Sequence, residues 1–77
     1  MKKKRPSTVG SLAELSARIL QERHKRGITL QALASEMKIS KGNLSDIERG
    51  KRDPRFSTLQ SIAHGLGVPL ARLVKDF

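Results

Sequence analysis

The chain contains no cysteine, tryptophan or tyrosine, and its only aromatic side chains are Phe56 and Phe77. Without cysteine there is no disulfide and no thiolate metal site, which suits a reducing compartment such as the cytoplasm. The scarcity of rings argues against recognition of single strands or of most specific RNA targets, where bases stack on aromatic faces. Apolar runs extend only a few residues, too short to span a bilayer. The basic stretch Met1–Arg5 is followed by no apolar segment, so it does not read as a secretory signal. His24 and His64 stand alone, without carboxylates or cysteines at ligand spacing, so no metal is expected. Neither a glycine-rich phosphate loop after a strand nor a nucleophile–base pair is present, so neither an enzyme nor a bound cofactor or small-molecule ligand is expected.

Positive charge is abundant. Sixteen Lys and Arg face seven Asp and Glu, a formal net charge of +9 over 77 residues. Lys2, Lys3, Lys4 and Arg5 account for four of the positives, and the remainder still carries +5. A small domain that is basic apart from its tail expects a polyanion, and with so few aromatics duplex DNA is favoured over RNA. A chain of this length forms one domain with a modest core, whose net stability is roughly 3–5 kcal/mol.

The apolar spacing is helical throughout, and no strand pattern is seen. Residues 1–10 read as a basic flexible arm, and residues 11–77 as the folded domain. Ser11 and Glu14 have capping-box spacing, so the first helix is expected to start after Ser11; Leu12, Leu15, Ile19 and Leu20 form its stripe and Gly27 ends it. Thr29 is placed to cap a second helix with Leu30, Leu33, Ala34 and Met37 on one face. After the turn Met37-Lys38-Ile39, Ser40 caps a third helix running to about Arg49, and Gly50 stops it. Lys51–Arg55 forms a basic loop. A fourth helix spans roughly Phe56–Leu66, with Phe56, Leu59, Ile62, Ala63 and Leu66 as its buried stripe, and Pro69 opens a fifth carrying Leu70, Leu73, Val74 and Phe77. The expected fold is all-α, five helices around one core. Residues 30–50 have the spacing of a helix-turn-helix. Ala34 sits where two helices cross, Leu44 and Ile47 hold the second helix, and Lys41, Asn43, Ser45 and Asp46 fill its outer face, which suits a major groove.

These residues carry a resemblance. Arg23 four residues before Gly27, the Gly27-Ile28-Thr29 opening, Leu33-Ala34, Ile39-Ser40 and the segment LSDIERGKRDP together resemble the Cro/repressor-like, XRE-type helix-turn-helix domains of phage and bacterial regulators. The likeness covers roughly Leu12–Val74. It implies a lambda-repressor-like fold and makes the third helix the reader. Lys41, Gly42, Asn43 and Asp46 fall on base-contacting positions, where Lys suits guanine, Asn suits adenine and Asp suits the amino group of cytosine. Gly42 offers no side chain there but permits close backbone approach. Gln31, Lys38, Ser40, Ser45, Lys51, Arg52 and Arg55 fall on phosphate-contacting positions. Two departures stand out. The second helix opens with Leu30 where many members have Gln, and Lys38 occupies a turn position that commonly holds Gly. The resemblance further implies an ion pair between Arg23 and Glu48, against which Glu22 serves as an ordinary surface charge, and a dimer interface including Val74 and Phe77.

The expected function is that of a bacterial or phage-encoded transcriptional regulator, foremost a repressor, bound as a homodimer to an inverted repeat in duplex DNA. The alternatives are an antitoxin-type module that binds a protein partner as well as DNA, and a nonspecific DNA-binding protein that uses only phosphate contacts.

Overall fold

The structure, a computed structural model, describes residues 8–74, with side chains from Leu12 onward. Phe77 and the Lys2–Arg5 arm lie outside the described residues. Five helices follow one another: α1 (Thr8–Lys25), α2 (Leu30–Met37), α3 (Lys41–Glu48), α4 (Phe56–Leu66) and α5 (Leu70–Val74). α1 packs against α3, α4 and α5, while α2 packs against α3 and α4. Ile19, Leu33, Leu44, Ile62 and Leu73 are the fully buried large side chains, one from each helix. These side chains belong to one core to which all five helices contribute. Gly65 allows α4 to lie close on α2, since a Cβ there would fall 2.6 Å from Leu33 Cδ1.

α2 and α3 start with the same device. Thr29 Oγ1 accepts from the Ala32 amide at 3.0 Å, and Ser40 Oγ accepts from the Asn43 amide at 3.0 Å. Each satisfies one of the amides that a helix start leaves unpaired. The ends of α1 to α4 also share one closure. Ile28, Ile39, Lys51 and Val68 return their amides to the carbonyls of Arg23, Ala34, Asp46 and Ala63 respectively. In each case the residue before the returning amide is left-handed. Three of those residues are glycine and the fourth is Lys38, at φ 61° and ψ 39°. In three of the four closures the returning residue is apolar and folds onto the core, the usual accompaniment of this helix end. The exception is Lys51, which is exposed.

Two local expectations are corrected. α1 begins at Thr8, so Ser11 lies inside the helix and is not its cap. Pro6 is the last residue upstream that a helix interior excludes, and Gly10 costs only about 1 kcal/mol in a helix that is otherwise well packed. Phe56 is 64% exposed rather than part of the core. It occupies the first turn of α4, directly after an exposed loop, and the buried stripe of that helix starts one turn later at Leu59.

Lys38 is the only non-glycine residue with positive φ among the described residues. A side chain in that region costs about 1–2 kcal/mol. Lys38→Gly is therefore expected to raise the midpoint of thermal unfolding, by roughly 4–8 °C for each kcal/mol recovered. A lower midpoint in calorimetry would contradict the role assigned to this turn.

Candidate nucleic-acid interface

α3 divides cleanly into two faces. Leu44, Ile47 and Glu48 are buried, whereas Lys41, Gly42 and Asn43 are exposed, and Ser45 and Asp46 are half-buried. The exposed end is the N-terminal one, where the helix dipole is positive. A Cβ on Gly42 would meet nothing nearer than Ser40 Oγ at 4.0 Å, so the backbone there is open to close approach. The oxygen of Ser40 is engaged by the Asn43 amide, which leaves its hydroxyl proton for a phosphate oxygen.

Two grooves flank α3, with Ile39 in the wall of both. One brings Gln31 and Ser35 of α2 beside Lys41. The other brings Asn43 beside Arg52 and Arg55 of the following loop, together with Asp53. The structure thus gathers Gln31, Lys41, Asn43, Arg52 and Arg55 around one exposed helix end. Lys38 and Lys51 are exposed at the turns before and after α3. Arg55, unlike Thr29 and Ser40, places no side chain over the helix it precedes, so the first amides of α4 stay open beside two arginines. Such an arrangement favours an anion. Val74 lies apart from this cluster, half-buried on α5.

The direction of α3 is fixed from behind. Arg23 Nε donates to Glu48 Oε2 at 2.7 Å, and the same guanidinium donates through Nη2 to Oε1 at 3.0 Å. Its Nη1 donates to the Ile28 carbonyl at 2.9 Å. The side chains are only 10% and 5% exposed. This planar, bidentate geometry ties the last residue of α3 to α1 at a defined angle. A second tie, between Ser16 and Ile47, was not singled out from the sequence; Ser16 Oγ donates to the Ile47 carbonyl at 2.8 Å. The available signal was a small polar residue between Leu15 and Ile19, within the apolar stripe of α1. Glu22 is not the surface charge that was expected. It is buried, and its carboxylate is held by Arg26 and Lys25.

A two-helix motif with a polar, cation-flanked second helix, set at a fixed angle on a small core, defines a helix-turn-helix DNA-binding domain. The comparisons specify which kind. The helix-turn-helix family model HTH_3 matches residues 19–73, and the chain belongs to this XRE-type family. It is 40% identical over 60 residues to the HTH-type transcriptional regulator SutR of Escherichia coli, a match covering 78% of this chain and 34% of SutR. It is 37% identical over 59 residues to the immunity repressor protein of Bacillus phage phi105, covering 77% and 41% of the two chains. The clp gene regulator ClgR of Corynebacterium glutamicum superposes with a TM-score of 0.79 at 30% identity, over 90% of this chain and 87% of that one. The restriction-modification controller protein C.AhdI of Aeromonas hydrophila shares the fold, with a TM-score of 0.80 at 20% identity, over 83% and 97%. The chain spans a third to a half of the length of curated relatives such as SutR and the phi105 repressor. No helix among the described residues is long and apolar enough to cross a membrane.

Glu48→Ala leaves a buried guanidinium without its counter-charge and is expected to cost about 3 kcal/mol in denaturant unfolding. Glu14→Ala, at an exposed site, is expected to fall within about 0.5 kcal/mol of the parent. Equal unfolding free energies for the two variants would remove the pair as the fixed point of α3.

Proposed function

We propose that the chain binds a specific sequence in duplex DNA and regulates transcription there, foremost as a repressor that occupies its operator. The observation that carries this reading is the gathering of Lys41 and Asn43 with Gln31, Arg52 and Arg55 at the free end of α3. A purely electrostatic binder needs cations but has no use for an exposed amide side chain between them. Asn43 offers a paired donor and acceptor that match adenine N7 and N6, and Lys41 offers a donor to guanine O6 and N7. Asp46, one turn further on, accepts from cytosine N4 and repels phosphate, which sharpens register. Gly42 admits the backbone close to the base edges.

Contacts to phosphate set that register. Gln31, Lys38 and Ser40 serve the side of the turn, and Ser45, Lys51, Arg52 and Arg55 the side of the loop. These contacts are shared by every sequence and supply the salt-dependent part of the affinity. The chain acts as a two-fold dimer through α5, with Val74 and Phe77 in the interface. A groove on that helix, lined by Pro69, Ala71, Arg72 and Val74, supports this assignment. Two-fold symmetry places the two α3 helices in successive major grooves, about one turn of DNA apart.

Titrations of a preferred duplex and its single-base variants separate the two kinds of contact. Asn43→Ala is expected to cost about 1–3 kcal/mol on the preferred sequence and to relax discrimination at one position of each half-site. Arg52→Ala is expected to weaken all duplexes alike and to lower the salt slope by about 1. Identical behaviour of the two variants would overturn the assignment of α3 as the reader.

A further inference from the structure

Ser16 stands outside every group of residues assigned to DNA or to the ion pair. It is 4% exposed, on the face of α1 that meets α3, and its hydroxyl donates to the Ile47 carbonyl at 2.8 Å. That carbonyl lies in the last turn of α3 and also accepts the Gly50 amide at 3.2 Å, so both of its lone pairs are engaged. Loss of the Ser16 hydroxyl would therefore leave no buried acceptor unsatisfied, and the fold itself does not require the bond.

We propose that Ser16 is a positioning residue for sequence discrimination, holding the tilt of α3 so that Lys41 and Asn43 meet base edges in register. The inference rests on the DNA-reading function proposed above. Its physical basis is a lever. α3 is tied at Ile47 and Glu48 and reads at Lys41, about 10 Å away at 1.5 Å per residue. A tilt of about 5° at the tied end displaces the reading end by about 1 Å, and directed hydrogen bonds tolerate about 0.5 Å. The Arg23–Glu48 pair sets the angle at one place, the end of α3, and acts there through the Glu48 side chain rather than on the backbone. The Ser16 bond adds a second point on the neighbouring residue, and the two together define a direction. The phosphate contacts of Lys38, Lys51, Arg52 and Arg55, made by long flexible side chains in the turn and loop, absorb such a displacement, whereas base contacts do not.

The test is a ratio of affinities. For the wild type, Ser16→Ala and the core variant Ile62→Val, dissociation constants are measured for a preferred duplex and a scrambled duplex of equal length, at one salt concentration. All three are confirmed folded by circular dichroism at the working temperature. Each substitution is expected to lower the unfolding midpoint by roughly 4–8 °C, the scale of one lost hydrogen bond or one buried methyl group. Ser16→Ala is expected to reduce discrimination between the duplexes about fivefold or more, the scale of a partial loss of one base contact, with affinity for the scrambled duplex within about twofold of wild type. Ile62→Val is expected to leave the ratio unchanged. Equal ratios for wild type and Ser16→Ala would overturn the positioning role, as would an equal fall in both variants. A wild type that does not discriminate would overturn the DNA-reading function itself, and is thereby distinguished from failure of the Ser16 role alone.

Discussion

The buried contact between Arg23 and Glu48 is the constraint on which the site depends. It joins residues 25 apart in sequence and ties the end of α3, the proposed reading helix, to the longest of the described helices. A buried pair of this kind is a poor source of net stability, because removing two charges from water costs about as much as their attraction returns. Its value lies in direction. A guanidinium that meets a carboxylate with two parallel bonds has one plane and one approach, whereas apolar contacts alone allow a helix to slide or roll. The third bond of Arg23, to the Ile28 carbonyl, brings the turn after α1 into the same fixed unit.

Among the described residues, α1 sends polar links to two other helices. Ser16 and Arg23 reach α3, and Arg18 Nη1 donates to the Leu73 carbonyl of α5 at 3.2 Å. α1 thus acts as a ruler between the helix assigned to DNA and the helix assigned to the dimer. In a two-fold regulator the distance between reading helices must match the helical repeat of DNA. In the dimer proposed above, the polar links at both places on α1 serve to set that distance.

Much of this arrangement was legible in the sequence, and the exceptions have physical causes. The starts of α2 and α3 were legible because Thr29 and Ser40 are capping residues placed directly before an apolar period. The left-handed turn at Lys38 follows from the resemblance, which puts Lys38 on a turn position that commonly holds Gly. The start of α1 is hidden in the sequence because Ser11 and Glu14 reproduce the spacing of a cap without lying at a helix end. Phe56 continues the apolar period of α4, yet a period says nothing of whether a neighbour covers that turn, and Phe56 is left largely exposed. Glu22 reads as a surface charge because its partners, Lys25 at the end of α1 and Arg26 just past it, are close in sequence and themselves more exposed than the carboxylate they hold. Ser16 broke an apolar stripe by one residue, too small a signal without the carbonyl it faces. The pairing of Arg23 with Glu48 follows from no local rule; family resemblance suggested it, and the folded chain brings the two together.

The central claim is that the exposed end of α3 reads sequence in duplex DNA. Its most direct test is selection of bound duplexes from a random pool at about 150 mM salt, where exposed charges are screened beyond roughly 8 Å. Enrichment of an inverted repeat with half-site centres about 10 bp apart is the predicted result. Recovery of unenriched duplexes, with binding that fades as salt rises, would contradict it.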